Sequence, residues 1–450
     1  MTRVLALDVG TSSIRAAVHD EDAEPAGEVA SRKYRTTDAD ELVDAVRTAV
    51  DEALAEEEVD TVGASTFGHA LLCLDSRGRA ASPIYMWRDT RSDDAAEWLR
   101  RRLDGEAVHA RTGAHLHSSY WPAKLAWLAE EEPELFRGAA RFVSFADYLY
   151  ERLTGERPLC SLSLASGTGL LDLATAEWDE ELLSTLGVDR ERLPPLGDEP
   201  AEGWYPALLD GVCSNLGTGC VTRERAALMV GTSGAYRTLY ETERPQPRLG
   251  LFLYRADERR VVEGGALSDG GNLHGWLDDT FGPVEDEDSL AERDPTDHGL
   301  TFLALLGGER SPGWHAHVRG AVRGLSFETT PRDLRQAALE GVAFRFAAVA
   351  ELLPEVEEVV ATGGALEHSV AWCQLMADAL ARPITLSAVG EASLRGGAVA
   401  TLERLGKTAP EAPLGRTFEA RLDRADEYRE ARDRDRALYE GVTDQACFGR

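Results

Sequence analysis

The sequence has very little lysine and a large deficit of positive charge. Only three of its 450 residues are lysine, and 79 acidic side chains outnumber 48 basic ones, which gives a net charge of -31 at pH 7. A nucleic-acid-binding surface needs clustered Lys and Arg, because the phosphate backbone repels an acidic protein. The composition therefore excludes a general nucleic-acid-binding function. Any phosphate must be bound locally, by backbone N–H groups, a metal ion or a few placed cations.

Cysteine is also scarce, and no long apolar run is present. The six cysteines, at positions 73, 160, 213, 220, 373 and 447, form no C-x-x-C pair and have no zinc-ligand spacing. Neither a disulfide framework nor a zinc site is predicted. No segment approaches the roughly 18 apolar residues of a membrane span, and a strand pattern at the N-terminus leaves no room for a signal peptide. We expect a cytoplasmic protein that binds neither nucleic acid nor membranes; a homodimer is left open.

A repeated segment divides the chain into halves. Ala6–Ser12 recurs as Ala227–Ser233 with a single change, Asp8 against Met229. A length of 450 residues with 43% hydrophobic residues favours two large domains rather than one. The predicted domains are residues 1–221 and residues 222–450.

Each copy of the repeat predicts a hairpin with a small polar turn. An apolar strand runs into Gly-Thr-Ser, and a second strand-like run follows at residues 14–19 and 235–240. Successive backbone N–H groups in such a turn point to one place and form an anion site. Two copies predict two similar domains that each offer a loop to the same polyphosphate. Asp8, present in one copy only, is the carboxylate that can hold magnesium there.

Strand and helix patterns alternate in the rest of the chain, which predicts a mixed α/β fold. The predicted strands are residues 61–66, 71–75, 142–145 and 359–361, and the predicted helices are residues 93–103, 146–153, 332–353 and 369–380, with another that begins near Pro122. The pair Gly363-Gly364 lies between a strand and a helix. It permits close backbone approach to a nucleotide, and a plain tight turn has the same pattern.

Seven segments carry motifs in a fixed order along the chain: Asp8–Ser13, Trp87–Arg91, Leu209–Gly211, Val230–Gly234, Gly307–Trp314, Thr362–Ala365 and Glu391–Gly397. Together they resemble the FGGY carbohydrate kinases, the sugar-kinase branch of the actin, hexokinase and heat-shock ATPase superfamily. The resemblance extends over nearly the whole chain. It implies two actin-like (ribonuclease H-like) domains, each a mixed five-stranded sheet flanked by helices, with a deep cleft between them. It also implies phosphoryl transfer from ATP, with Mg²⁺, to a sugar hydroxyl.

The resemblance assigns roles to residues at this cleft. Asp210 is expected to be the catalytic base and, with Asp8, a magnesium ligand, whereas spacing alone would make Asp210-Gly211 a turn. Phosphoryl transfer needs one carboxylate to orient the acceptor hydroxyl and take its proton. The residues expected to bind ATP are Asp8, Gly10, Thr11, Ser12, Ser13, Arg15, Gly231, Thr232, Ser233, Gly308, Gly363, Gly364, Ala365 and His368. The residues expected to face the sugar are Gly68, His69, Trp87, Asp89, Arg91, Tyr120 and Gly211.

The acceptor is predicted from two of the segments. Residues 265–271 and 308–314 are most similar to gluconate kinases, so phosphorylation of D-gluconate to 6-phosphogluconate is the expected reaction. The carboxylate of gluconate needs a cation, and the sequence offers Arg88, Arg91 or Lys124 without choosing among them. Xylulose, or another ketose or polyol, is the alternative substrate. A non-catalytic or chaperone-like actin-fold ATPase is the alternative of another class.

The distribution of the motifs also predicts a motion. The sugar-binding residues and Asp210 lie in the first half, and the adenosine glycines lie in the second, so in-line transfer requires the halves to approach each other. The expected hinge is residues 217–224, where two glycines precede the second copy of the repeat.

Overall fold

The structure is a computed structural model, and it describes residues 2–55 and 57–448, with the side chains of the last helix described as far as residue 444. The first half contains β1 (Val4–Val9), β2 (Ser13–His19), β3 (Ala30–Lys33), α1 (Ala39–Leu54), β4 (Thr61–Thr66), β5 (Leu72–Leu74), α2 (Asp93–Arg100), α3 (Gly105–Thr112), α4 (Trp121–Glu131), α5 (Pro133–Gly138), β6 (Arg141–Val143), α6 (Phe145–Thr154), α7 (Leu162–Gly167), β7 (Leu171–Asp172), β8 (Glu177–Trp178), α8 (Glu180–Leu186), β9 (Leu208–Leu209) and α9 (Asp210–Gly217).

The second half contains β10 (Arg225–Val230), β11 (Gly234–Glu241), β12 (Phe252–Arg255), β13 (Arg260–Leu267), α10 (Gly271–Phe281), β14 (Thr301–Leu303), β15 (Ala321–Arg323), α11 (Pro331–Ala350), β16 (Glu358–Thr362), α12 (Gly364–Glu367), α13 (Val370–Leu380), β17 (Ile384–Ser387), α14 (Ala392–Arg404), β18 (Leu414–Phe418) and α15 (Ala425–Phe448). Short 3₁₀ turns occupy Arg190–Arg192, Glu287–Glu292 and Leu422–Arg424. Mixed α/β architecture with two sheet-containing domains is thereby confirmed.

The first domain is built on a five-stranded sheet in the order β3-β2-β1-β4-β9. Every residue of β1 is buried, as expected for a central strand covered on both faces. Strand β1 pairs antiparallel with β2 and parallel with β4, and β9 adds to β4 in parallel. The parallel β1, β4 and β9 therefore end at the same edge of the sheet. The turn after β1 and the start of α9 both lie at that edge.

The second domain repeats this arrangement and extends it. Strands β13-β11-β10-β16-β17 have the order and directions of the first sheet, and β12 and β18 are added at the two edges. The sheet therefore has seven strands instead of the expected five. The hairpin of β12 with β13 provides one extra strand, and antiparallel pairing of β18 with β17 provides the other.

Helix α14 joins the two domains. Although it belongs to the second half, it packs on the first sheet and on α9, at positions where only glycine fits. A Cβ atom on Gly396 would lie 1.8 Å from the carbonyl oxygen of Cys213, and one on Gly217 would lie 1.8 Å from that of Ala392. The boundary between residues 221 and 222 stays a prediction, because this helix crosses from one half to the other.

The predicted elements occur in the structure, with shifts at their ends. Helix α2 ends at Arg100 rather than residue 103, and α11 begins at Pro331, where Thr330 and Asp333 form a capping box, and ends at Ala350. Five cysteines are buried free thiols, and the side chain of Cys447 lies outside the described residues. None of the helices in the described part of the chain is long and apolar enough to cross a bilayer.

Candidate active site

Both Gly-Thr-Ser turns are closed by a hydrogen bond from the glycine amide to a serine carbonyl, and the second turn is one residue shorter. In the first turn the Gly10 amide donates to the Ser13 carbonyl at 2.9 Å, and in the second the Gly231 amide donates to the Ser233 carbonyl at 3.0 Å. The residues between the ends of each turn are exposed or half-buried. Their N–H and hydroxyl groups are therefore accessible to an anion.

Asp8 is a buried carboxylate next to the first turn. It is 6% exposed, and its Oδ1 accepts a hydrogen bond from Ser65 Oγ at 2.8 Å, while Arg15 Nη1 lies 3.4 Å from its Oδ2. Burial raises the pKa of Asp8 to about 6, against the hydrogen bond of Ser65 and the charge of Arg15; the nearby charge of Asp210 adds to the rise. Arg15 also pairs with Glu391 at 2.8 Å. The two carboxylates, Asp8 and Asp210, are thus close enough to affect each other electrostatically.

Asp210 is the first residue of α9, and the two-residue strand β9 leads directly into it. The Gly211 amide donates to Asp210 Oδ1 at 2.7 Å. Burial raises the pKa of Asp210, whereas the charge of Arg237 opposes that rise. Gly211 makes room for this arginine, because a Cβ atom on it would lie 2.8 Å from Arg237 Nη1.

A cavity of about 90 Å³ in the interdomain cleft brings Asp210 together with residues of both halves. Its lining includes Gly68, His69, Trp87, Asp210 and Gly211 from the first half, and Met229, Ser233, Arg237, Tyr254 and Arg310 from the second. Asp210 is the only acidic residue among those that line it, and Arg237 and Arg310 are the arginines. Five of the predicted site residues of the first half therefore share one cavity.

His69 is held in a fixed orientation in this cavity. Its φ is 64°, and its Nδ1 lies 2.5 Å from the carbonyl oxygen of Gly167, to which a protonated Nδ1 donates. Burial, with the charge of Arg310, lowers the pKa of His69 to about 3. The ring is therefore neutral at physiological pH, and its Nε2 carries a lone pair that can accept a hydrogen bond.

Lys124 supports His69 from behind the cavity. Its Nζ donates to the carbonyl oxygens of His69 at 2.6 Å and Ser119 at 2.9 Å, and the residue is 2% exposed. Burial lowers the pKa of Lys124 to about 7. Lys124 does not line the cavity, so it is a positioning group for the His69 backbone rather than the expected ligand of a carboxylate.

Three of the residues expected to face the sugar do not line the cavity. Asp89 and Arg91 form an ion pair with each other, and the Arg91 guanidinium lies 5.0 Å from the centre of the Trp127 ring. Tyr120 is buried behind the cavity wall, where its hydroxyl lies 2.5 Å from the hydroxyl of Tyr254. Arg88 is exposed and is also absent from the lining.

A second cavity, of about 530 Å³, lies on the other side of the second turn. The predicted residues that line it are Gly231, Thr232, Gly364, Ala365 and His368, and the chain adds Gly271, Asn272, His274, Glu287 and Ser369. Glu287 accepts from Ser369 Oγ at 3.2 Å, and its Oε2 lies 2.8 Å from His274 Nε2. Glycines and short polar groups thus leave an open pocket beside the second Gly-Thr-Ser turn.

The remaining predicted nucleotide residues lie around these cavities rather than in them. Gly363 has φ of 100° and approaches the second loop so closely that a Cβ atom would lie 2.4 Å from the Val230 carbonyl oxygen. Gly308 has φ of 79°, and a Cβ atom there would lie 2.6 Å from the Ala316 carbonyl oxygen. Both glycines are required by backbone packing, and Gly308 contributes to neither cavity lining.

Reasoning from the sequence missed three polar residues of the cleft: Arg237, Tyr254 and Arg310. Arg310 lies inside the segment Gly307–Trp314, one of the seven motifs, so its position in that motif could have marked it as a candidate. Arg237 and Tyr254 lie within strand patterns, where nothing marks one polar residue as facing the cleft.

The chain matches known proteins over almost its whole length. Residues 3–202 match the FGGY family of carbohydrate kinases, N-terminal domain, and residues 226–402 match the C-terminal domain. Gluconokinase of Bacillus subtilis is 27% identical over 452 residues, covering 90% of this chain and 88% of that protein. Xylulose kinase of Escherichia coli is 26% identical over 419 residues, with 85% of each chain covered. The crystal structure of xylulose kinase from Lactobacillus acidophilus superposes with a TM-score of 0.90 at 24% identity, covering 98% of this chain and 99% of that one. With both family domains matched in order around the cleft, the chain belongs to the FGGY family of carbohydrate kinases and is a sugar kinase.

Proposed function

We propose that the protein transfers the γ-phosphoryl group of ATP to the terminal hydroxyl of D-gluconate, giving 6-phosphogluconate and ADP. The observation that carries the proposal is the half-buried Asp210 carboxylate, which shares one cavity with His69 and with Ser233 of the second phosphate loop. A carboxylate so close to a phosphate loop is positioned between an acceptor hydroxyl and a bound polyphosphate.

In this proposal Asp210 is the general base. Because burial raises its pKa, Asp210 is a stronger base than an exposed aspartate, and the charge of Arg237 opposes the rise and favours the ionised form. The carboxylate orients the acceptor hydroxyl and takes its proton as the bond to phosphorus forms and the bond to the leaving ADP oxygen breaks. His69 accepts a hydrogen bond from another substrate hydroxyl through Nε2.

ATP is proposed to lie along the second cavity, with its phosphates between the two turns. The residues proposed to hold it are Gly10, Thr11, Ser12, Ser13 and Arg15 of the first turn, Gly231, Thr232 and Ser233 of the second, and Gly363, Gly364, Ala365 and His368. The open pocket beside the second turn, lined by Gly364 and Ala365, leaves space for the nucleoside. A reaction that uses ATP also supports the expected cytoplasmic location.

The residues next to the first turn fit a magnesium ion. Magnesium prefers oxygen ligands and is usually held by one or two carboxylates together with substrate phosphates. Asp8 and Asp210 supply carboxylate oxygens, and the raised pKa of Asp8 marks a buried negative charge that lacks full compensation. When bound there, the ion would neutralise charge on the phosphate oxygens.

Xylulose is the second candidate acceptor, supported by the similarity to xylulose kinase of Escherichia coli. It is neutral, whereas gluconate is an anion. A non-catalytic or chaperone-like ATPase is disfavoured because both domains match the FGGY family of carbohydrate kinases.

ADP release, measured with gluconate, xylulose, ribulose, glycerol, fuculose and rhamnulose, tests the proposal. We expect the highest kcat/KM with gluconate. Turnover of xylulose without turnover of gluconate would make xylulose, rather than gluconate, the acceptor. ATP hydrolysis unaffected by every acceptor would favour the non-kinase alternative.

A further inference from the structure

Arg237 and Arg310 are two buried cations that the proposed chemistry leaves without a ligand. Arg237 lies on β11 and Arg310 on the loop after β14, and they are 7% and 9% exposed. Among the described residues neither guanidinium forms an ion pair, although Asp210 is near enough for its charge to oppose the lowering of the Arg237 pKa by burial. The Nε atoms of both are buried without a hydrogen-bond partner. Buried charges of this kind normally have a partner, because desolvation without one is costly.

The cavity has an excess of positive charge. Asp210 is the one acidic residue in its lining, and it faces two arginines, while His69 is neutral. The guanidinium groups also repel each other, since the charge of Arg310 adds to the lowering of the Arg237 pKa by burial. A ligand that carries one negative charge would balance the cavity.

Arg310 lies next to a residue expected to face the sugar. Its guanidinium is 5.1 Å from the centre of the Trp87 ring, and its charge lowers the pKa of His69. Trp87 and His69 line the same cavity as Arg310.

The backbone around both arginines is built to hold them in place. Ser311, next to Arg310, is tied to β13 twice: its amide donates to the Ala266 carbonyl at 3.0 Å, and its Oγ accepts from the Ala266 amide at 3.1 Å. On the other side of the cavity, the missing side chain of Gly211 provides the space that Arg237 occupies. Such support is expected for side chains whose geometry matters for a ligand.

We propose that Arg237 and Arg310 bind the carboxylate of the acceptor, so that the second domain selects a sugar acid over a neutral sugar of the same size. The inference rests on the proposed kinase activity toward gluconate. It identifies the residues through which the enzyme would prefer an anionic acceptor. Guanidinium groups suit this task because their planar donors match the two oxygens of a carboxylate.

The test compares D-gluconate with D-glucitol, which has a neutral CH₂OH group in place of the carboxylate. Arg310→Met and Arg237→Met are assayed with each compound, as substrate or as competitive inhibitor. Removing one charge-assisted contact should raise the KM or Ki for gluconate about tenfold to a hundredfold, with little change for glucitol and for the KM of ATP. Arg310→Lys keeps the charge without the planar fork and should give an intermediate KM.

The matched control is Arg255→Met. Arg255 is also a buried arginine, 7% exposed, but its guanidinium donates to the Leu173 carbonyl and it does not line the cavity. It should leave the ratio of gluconate to glucitol affinities unchanged. Thermal melts identify variants that lose structure; for those, the milder Arg310→Lys decides.

The outcomes separate this inference from the proposed function. If the parent enzyme uses gluconate but the variants lose affinity for both compounds equally, the arginines do not recognise a carboxylate. An equal fall in kcat for every acceptor, with acceptor KM unchanged, would assign them to the transferred phosphoryl group and overturn the inference. If the parent enzyme never binds or phosphorylates gluconate, the proposed substrate itself fails.

Discussion

The strand–turn–strand units at residues 4–19 and 225–241 have the same topology but different chemistry. Each places a glycine amide 2.9 to 3.0 Å from a serine carbonyl and follows it with an antiparallel strand. At the matching strand position, however, the first unit has the buried carboxylate of Asp8 and the second has Met229, whose Sδ lies 3.2 Å from the Gly231 amide. The two units thus share a fold, and of the two only the first has a carboxylate at this position.

The difference extends to the groups around the first cavity. The carboxylates of Asp8 and Asp210 belong to the first half, and the two arginines of the cavity lining, Arg237 and Arg310, belong to the second. Two similar sheets therefore bring opposite charges to one site. We infer that the first half serves the metal and the proton, and that the second serves anionic ligands.

The largest expected effect comes from removing the first-half carboxylate that faces the second loop. Asp210→Asn should lower kcat by about a hundredfold or more, because general base catalysis typically contributes 10²- to 10⁴-fold. Gluconate affinity, measured by calorimetry, should change little, since the amide retains the size of the carboxylate. Near-normal turnover would show that Asp210 is not the base.

The next effect concerns the residue that distinguishes the two units. Asp8→Asn should require about tenfold more Mg²⁺ for half-maximal activity, because a neutral amide is a weaker ligand for a hard cation. Binding of gluconate alone should be unaffected. A magnesium titration that coincides with that of the parent enzyme would make Asp8 a structural residue, and the two units chemically equivalent.

The same substitution should stabilise the metal-free protein at neutral pH. The pKa of Asp8 rises from an ordinary 3.8 to about 6 in the folded state, so between these values the folded state binds more protons than the unfolded one. Stability therefore falls as pH rises through this window, by about 3 kcal/mol in total for this group.

Urea unfolding without magnesium at pH 4 and pH 7.5 measures this slope. The parent protein should lose more stability than Asp8→Asn between the two values, by about 2.5 kcal/mol, because unfolded Asp8 is already partly ionised at pH 4. Asp269, whose pKa burial also raises to about 6, titrates in both proteins and cancels in the difference. Equal slopes would mean that Asp8 carries no destabilising charge in the metal-free fold.

The smallest expected effect is in overall shape. If ligands draw the two halves together, the radius of gyration in solution should decrease with gluconate and a non-hydrolysable ATP analogue, and with neither alone to the same extent. Small-angle scattering measures it. An unchanged radius would mean that the halves are already fixed relative to each other and that residues 217–224 are not a hinge.

Much of the fold could be predicted from local patterns. The repeat predicted two strand–turn–strand units, and β4 occupies the expected residues 61–66. The spacing of apolar residues and a proline at the first helical turn are local signals. The start of α11 at Pro331 could therefore be predicted to within one residue. The two edge strands β12 and β18 were missed, because pairing at a sheet edge depends on where distant segments pack.

The sequence by itself determined the doubled strand–turn–strand architecture and, through its motifs, the candidate residues Asp8, Asp210 and His69. Only the tertiary structure decided which cations share a cavity with Asp210. Lys124 is adjacent in sequence to the sugar motifs, yet it is buried behind His69, whereas Arg237 and Arg310 come from the other domain and meet Asp210 in the cleft. The physical reason is that charge and residue type are local properties of a chain, while the direction of a side chain and its partner depend on packing between segments far apart in sequence.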